Sequence, residues 1–286
     1  MHEYMNQVNI IDCIINAIKY HNREIGISKN EHNKLHALGE PLEDYVKDLF
    51  SNAINLNIVE KNERYNSVFS YGGGKNNPPD AIIRYGDAIE VKKVESIGGI
   101  PLNSSYPKSM LYKDDPRISS FCKNIENGEW SAKDIIYAIG CLEKRILKSL
   151  VLVYGSIYCA EKEYYEKVFN EIKESILSAN FELEKTNELA HINAVDPLGI
   201  TYFRARSLWG ISHPFKVYDY IHHYNNKNNF ELMAIIPTVK FNTFENREKL
   251  STLSQKDKCL NIVDTRVKNP NNTAELVDVK LVTYTI

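Results

Sequence analysis

The stretch Asn77-Pro78-Pro79-Asp80-Ala81-Ile82-Ile83-Arg84-Tyr85-Gly86-Asp87-Ala88-Ile89-Glu90-Val91-Lys92-Lys93-Val94 decides the reading of this chain. An aspartate follows a proline pair and opens a short apolar strand, Tyr85-Gly86-Asp87 turns the chain, and a second strand carries Glu90-Val91-Lys92. Side chains alternate across a strand, so Glu90 and Lys92 share one face while Val91 enters the core. Pairing of the two strands through the turn brings Asp80 near Glu90, and two carboxylates and a lysine converge.

That trio suits hydrolysis of a phosphodiester. Two carboxylates can hold Mg²⁺, which keeps several waters and shares its sphere with a phosphate oxygen. Such a metal activates water and neutralises developing charge. Lys92 then orients the water or lies against the transition-state phosphorane. A bare Pro-Asp followed by acid-x-Lys arises by chance in roughly one chain of this length in ten. The context is more telling, because in Ala88-Ile89-Glu90-Val91-Lys92-Lys93-Val94 an acid and two lysines interrupt a β-rich run with little structural need of them.

Composition frames this site. The chain has 286 residues, 43% hydrophobic and 25% charged, ordinary values for a globular protein with a substantial core. Cys13, Cys122, Cys141, Cys159 and Cys259 are scattered without Cys-x-x-Cys or zinc-type spacing, and read as reduced, mostly buried residues of a cytoplasmic protein. The N-terminus carries no basic segment followed by an apolar stretch, and the longest apolar run is too short for a bilayer, so a soluble protein without a membrane partner is expected. A net charge of −2 argues against a general nucleic-acid coater but leaves room for a basic groove. Between Pro197 and Tyr218 there is no acid, while Arg204, Arg206, His213 and Lys216 alternate with Tyr202, Phe203, Trp209 and Phe215. That mixture suits phosphate and base contacts, and equally an edge strand whose arginines snorkel over apolar neighbours.

Along the chain, Val8, Ile11, Ile14, Ile15 and Ile18 recur at helical spacing, predicting a helix that ends near His21-Asn22. Residues 24–38 are polar and broken. A second helix begins at Pro41 and runs through Leu42, Tyr45, Val46, Leu49, Phe50 and Ala53. The acids at its start, Glu40, Glu43 and Asp44, suit the helix dipole; Glu43, between Leu42 and Val46, also borders the buried face and is a candidate further metal ligand. After the hairpin, residues 95–117 contain two glycines and three prolines, too broken for long elements. Within them Asn103, Ser104, Ser105, Tyr106 and Lys108 offer donors for phosphates and base edges, or form a capped turn. Residues 130–139 and 147–155 read as strands, and 161–178 as a helix whose apolar side is Tyr165, Val168, Phe169, Ile172, Ile176 and Leu177. Further strands are expected at 199–205, 230–237 and 276–285. Gly72-Gly73-Gly74-Lys75 lacks the spacing of a phosphate loop, and His191, His213, His222 and His223 read as surface or structural.

With these pieces assembled, residues 40–180 or thereabouts resemble a PD-(D/E)XK nuclease, the superfamily of most type II restriction endonucleases. The likeness is closer to the NgoPII-like restriction enzymes, carried by Asn77-Pro78-Pro79-Asp80, Ala88-Ile89-Glu90-Val91-Lys92-Lys93, Leu102-Asn103-Ser104-Ser105-Tyr106-Pro107-Lys108 and Lys133-Asp134-Ile135-Ile136-Tyr137-Ala138. Phe203-Arg204-Ala205-Arg206-Ser207-Leu208-Trp209, followed by Pro214-Phe215, extends it toward residue 220.

The length and composition suit a single domain over residues 1–286 with an elaborated periphery, or else two intimately packed lobes. The resemblance implies an α/β fold with a PD-(D/E)XK core, a mixed central sheet flanked by helices, and an elaborated C-terminal DNA-recognition region. The recognition elements fall at about 96–117 and 190–240. It implies Asp80 and Glu90 as Mg²⁺ ligands, Lys92 as the catalytic lysine, and a homodimer cutting double-stranded DNA at a short GC-rich palindrome such as GGCC to leave 5′-phosphates. A cognate DNA methyltransferase is the expected genetic partner. Arg204 and Arg206 are candidate guanine readers; two residues apart on a strand they share a face, so both meet bases or both meet phosphates. Alternatives are another nuclease of the superfamily, methylation-directed or for repair, and a non-catalytic DNA-binding protein with a vestigial site.

Overall fold

Asn9 starts the first helix, α1 (Ile10–Lys19): its side chain accepts from the Ile11 N–H while Asp12 caps the Asn9 N–H in return. Ile10, Ile11, Ile14 and Ile18 are buried, each worth ~1.5–3 kcal/mol of burial, so the helix is a core element and not a surface one. The computed structural model describes residues 7–26, 40–74, 77–178, 184, 186 and 188–286. Residues 27–38 of the polar stretch and Lys75 lie outside these, as does the Glu40 side chain. Helix α2 (Glu40–Ser51) buries Leu42, Val46, Leu49 and Phe50, the spacing read from the sequence. Helix α3 (Ile58–Val68) has no counterpart in the sequence reading. It is mostly exposed, yet Asn57 and Glu60 form a capping box that marks its start.

Strands β1 (Phe69–Tyr71), β2 (Ala81–Ile83) and β3 (Ala88–Val94) follow. β2 and β3 form the expected antiparallel hairpin, with Ala81 opposite Ile89 and the turn closed by the Gly86 N–H donating to Ile83 O. Asp80 N donates to Ile89 O at 3.0 Å, which continues the register one step and sets Asp80 beside Glu90. Gly73, at φ +95, packs against the Asp80 carbonyl, and a Cβ there would collide with it. The glycine triplet thus supports the aspartate's backbone.

The chain continues through β4 (Gly99–Asn103), β5 (Met110–Tyr112), α4 (Ser120–Lys123), β6 (Ala132–Glu143), β7 (Ile146–Tyr154), α5 (Gly155–Tyr158) and α6 (Lys162–Leu177). Then come β8 (Ala190–Ile192), β9 (Phe203–Ala205), β10 (Trp209–Ser212), α7 (Pro214–Val217), β11 (Glu231–Pro237), α8 (Thr238–Thr243), α9 (Arg247–Lys256), β12 (Leu260–Asn269) and β13 (Asn272–Thr285). The central sheet runs β1-β2-β3-β6-β7-β11-β13-β12, with β5 added to β6. It is mixed: β3 pairs β6 and β7 pairs β11 in parallel, and the other neighbours are antiparallel. β6, β7 and β11 are almost wholly apolar and buried, as central strands covered on both faces should be.

Gly140 in β6 admits α2 to the sheet. A Cβ there would meet the Leu42 methyls at 2.8 and 2.9 Å and Leu147 Cδ1 at 3.0 Å. Gly140→Ala is expected to destabilise the protein by about 1–3 kcal/mol through overpacking, read by urea denaturation. An unchanged midpoint would show that Leu42 moves aside freely.

Two expectations need correction. The apolar side of α6 does not enter the core: Val168, Ile172 and Leu177 are 47%, 46% and 51% exposed, and the helix instead packs through Tyr165 and Glu166 against Tyr106. The strand expected over 199–205 shortens to Phe203–Ala205 in a separate two-stranded ribbon with β8. Four of the five cysteines are buried and all five are free, as their spacing suggested. Among the described residues, no helix is long and apolar enough to cross a membrane.

Candidate active site

Glu90 and Lys92 emerge on the same face of β3, and Lys92 Nζ donates to Glu90 Oε1 at 2.7 Å. Asp80, beside Glu90 on the adjoining strand, is held by the Val91 N–H, which donates to its Oδ2 at 2.7 Å. The hairpin therefore delivers the trio by pleat and register alone. Burial, and then the Glu90 charge, push the Asp80 carboxyl up to about 7. Burial works against the Lys92 ammonium, but Glu90 and Asp80 outweigh it and hold lysine's pKa above its ordinary value.

Glu43 reaches the same neighbourhood from α2. Burial raises its pKa, Lys47 and Lys92 oppose that, and it adds to the negative field at Asp80. It does not complete a three-carboxylate cage: among the described residues, no three His, Cys, Asp or Glu gather closely enough to hold a metal. The pair Asp80 and Glu90 nevertheless fits a divalent cation. Among the described residues, Glu90 Oε2 is buried without a hydrogen-bond partner, and the like charges of the pair repel. Magnesium takes one or two carboxylates, with water and phosphate completing its sphere.

The loop before β5 is built differently from its sequence reading. Lys108, expected as an exposed donor, is buried: its Nζ lies 2.9 Å from Asp115 Oδ2, off the line of a hydrogen bond. Burial and the nearby Arg117 lower its pKa. Arg117 grips Asp115 through Nε and Nη2 and lies 3.9 Å over the Tyr106 ring, whose hydroxyl donates to Glu166. Asn77 Nδ2 donates to Arg117 O, tying this cluster to the approach to Asp80. Tyr106 thus serves in a packed cluster with Tyr165 and Trp209, while Asn103 and Ser104 remain exposed and Ser105 half-buried. Asp115, Arg117 and Glu166 were missed in the sequence; the one available signal was an acid and an arginine flanking Pro116 in a broken loop. Asp115→Asn, which strands the buried ammonium, should cost about 3–5 kcal/mol in denaturant unfolding. Lys108→Met, which removes that charge, should cost much less; equal losses would show that the pair's charge is immaterial.

β4 pairs with β10 in antiparallel register, Ile100 opposite Ile211 and Asn103 opposite Trp209. This two-stranded ladder, separate from the central sheet, joins the polar loop to the basic aromatic segment. Within that segment the parts divide. Phe215 is buried and His213 caps α7, its Nδ1 accepting from the Phe215 N–H, with burial lowering its pKa to about 4. His213 is therefore a neutral structural group. Tyr202, Phe203, Arg204 and Arg206 stay exposed, and both arginines meet Glu188.

A family model described as NgoPII restriction endonuclease matches residues 8–268. The chain is similar to the type II restriction enzyme NgoPII of Neisseria gonorrhoeae, 46% identical over 282 residues that cover 97% of this chain and 99% of the relative. No solved structure matches. The match spans the hairpin, the buried Lys108 loop and the β4–β10 platform alike, and with it the chain belongs to the NgoPII restriction endonuclease family.

Proposed function

We propose that this restriction endonuclease hydrolyses both strands of double-stranded DNA at a short GC-rich palindrome, GGCC, and leaves 5′-phosphate ends. The observation that carries the reading is the trio itself: Asp80 beside Glu90, Lys92 on the same face at 2.7 Å, and Glu90 Oε2 buried without a partner among the described residues. Asp80 and Glu90 would hold Mg²⁺. Bound there, the ion lowers the pKa of a water and neutralises charge building on the phosphate. Asp80 is fixed by the Val91 amide, so its oxygens need no reorganisation when the ion arrives. Glu90 orients the Lys92 ammonium, which in turn positions the attacking water and stabilises the phosphorane in a partly buried site. Glu43, on α2, adds to the negative field at the pair.

The same reading places the trio in a PD-(D/E)XK core, supported by the order of α2, the β2–β3 hairpin, then β6, β7 and α6. DNA is read by the elements near residues 96–117 and 190–240, with Asn103, Ser104 and Ser105 in the first and Arg204 and Arg206 in the second. A palindrome with one active site per strand calls for a homodimer. A cognate methyltransferase would protect host DNA in the cytoplasm.

Unmodified plasmid incubated with the purified protein and Mg²⁺ tests this. Discrete fragments with 5′-phosphates and ends mapping within GGCC are expected, and none in EDTA. Cutting confined to methylated DNA, random degradation, or protection without cutting would overturn it.

A further inference from the structure

The two arginines at the reading end are held together by one carboxylate. Glu188 Oε1 accepts from Arg204 Nη2 at 2.6 Å and from Arg206 Nε at 2.7 Å, and its Oε2 accepts from Arg204 Nε at 2.8 Å. Glu188 lies just ahead of the β8–β9 ribbon, where the Leu189 N–H donates to Ala205 O and His191 stands opposite Arg204. The arginine side chains are 41% and 57% exposed, and that of Glu188 only 17%. The carboxylate is the more covered partner, and the guanidiniums are the more open to solvent.

The donors left over matter most. Among the described residues, Arg204 commits Nε and one Nη2 proton, the side of its fork, and keeps Nη1 and the outer Nη2 proton. Arg206, among the described residues, commits Nε alone. A guanidinium grips O6 and N7 of guanine with two N–H groups, and each arginine keeps its terminal nitrogens for that grip. Two guanidiniums so close repel, and a charge-assisted bidentate carboxylate offsets the repulsion while fixing their planes. With both guanidiniums open to solvent, the ion pair does little for folding, and the backbone ladder already holds β8 to β9. Its geometric effect falls on the arginines.

We propose that Glu188 is a positioning residue for base readout, orienting Arg204 and Arg206 so that both present their terminal nitrogens to neighbouring guanines. This rests on the reading of those arginines as guanine readers. Glu188 touches no base; it sets the angle and spacing of the groups that do. Its loss frees two long side chains that still find phosphates, so binding persists while discrimination falls.

The test compares the full-length wild type with Glu188→Gln, Glu188→Ala, Arg204→Ala and Arg206→Ala. Ca²⁺-supported binding is measured on a duplex carrying the site mapped by the plasmid digest, and on the same duplex with one G·C pair replaced by A·T, over a salt series. Each arginine variant should lose about tenfold or more of the discrimination ratio. Glu188→Ala should lose a comparable amount, and Glu188→Gln, which keeps one acceptor oxygen, less. The salt slope of the Glu188 variants should be no shallower than wild type, since no phosphate-binding cation is removed. Glu188 variants that discriminate like wild type while the arginine variants do not would overturn the positioning role alone. Full discrimination in all four variants would remove the guanine-reader reading itself. A uniform gain in affinity for both duplexes on neutralising Glu188 would make it a brake on DNA binding and overturn the proposal.

Discussion

Lys92→Ala is expected to cripple cleavage: the single-turnover rate at saturating Mg²⁺ should fall by about 10²–10³-fold or more, the scale for losing one preorganised charged group at a developing oxyanion. Binding of the same DNA in Ca²⁺ should survive. The reason lies in where the ammonium sits. Lys92 Nζ is 2.7 Å from Glu90 Oε1, and the two side chains are only 25% and 15% exposed. Its charge is thereby fixed beside the carboxylates that would hold the metal. Removing it leaves Asp80 and Glu90 with less positive charge nearby, which strengthens their attraction for a divalent ion. More Mg²⁺ therefore does not rescue the variant. Lys92→Arg keeps the charge but replaces a compact ammonium by a planar fork, and is expected to remain far below wild type. A Lys92→Ala protein that cuts at the wild-type rate would remove this residue from the mechanism.

The hairpin was legible because everything about it is local. A strand's period of two puts Glu90 and Lys92 on one face, and a short turn fixes the register that brings Asp80 to Glu90. Helices α1 and α2 were legible for a similar reason, their apolar residues recurring at helical spacing. Lys108 was misread because loop composition reveals available donors and not burial. Only the fold brings Asp115 and Arg117 around that ammonium and turns an apparent DNA contact into a buried strut. The exposed side of α6 marks the same limit, since apolar periodicity announces a face and leaves open what covers it. The pairing of β4 with β10 was hidden in the sequence because more than 100 residues separate Asn103 from Trp209. The bond between Glu188 and Arg204 likewise becomes visible only with the β8–β9 ribbon in place.

Asp80→Asn should move two measurements in opposite directions, abolishing cleavage while making the metal-free protein more stable. The Asp80 carboxyl is pushed up to about 7 by burial and by Glu90, against an ordinary value of 3.8. Between those values the native state keeps a proton that the unfolded chain has released. Stability in EDTA therefore falls as pH rises through that window, and the loss persists above it. A shift of this size corresponds to a few kcal/mol, roughly 1.4 per unit. Asparagine never ionises, so the variant escapes the loss. Its amide oxygen can still accept from the Val91 N–H, and its amide nitrogen can donate toward Glu90. Melting in EDTA at pH 8 should thus rise by several degrees or more, at roughly 2–4 °C per kcal/mol for chains of somewhat smaller size. Near pH 4, where the native wild-type residue is also neutral, the two proteins should melt together. Mg²⁺ should raise the wild-type midpoint at pH 8 by mass action and leave the variant nearly unmoved. A variant less stable than wild type in EDTA at pH 8 would show that Asp80 is an asset to the empty fold, and that the pair with Glu90 is not held apart in readiness for a cation.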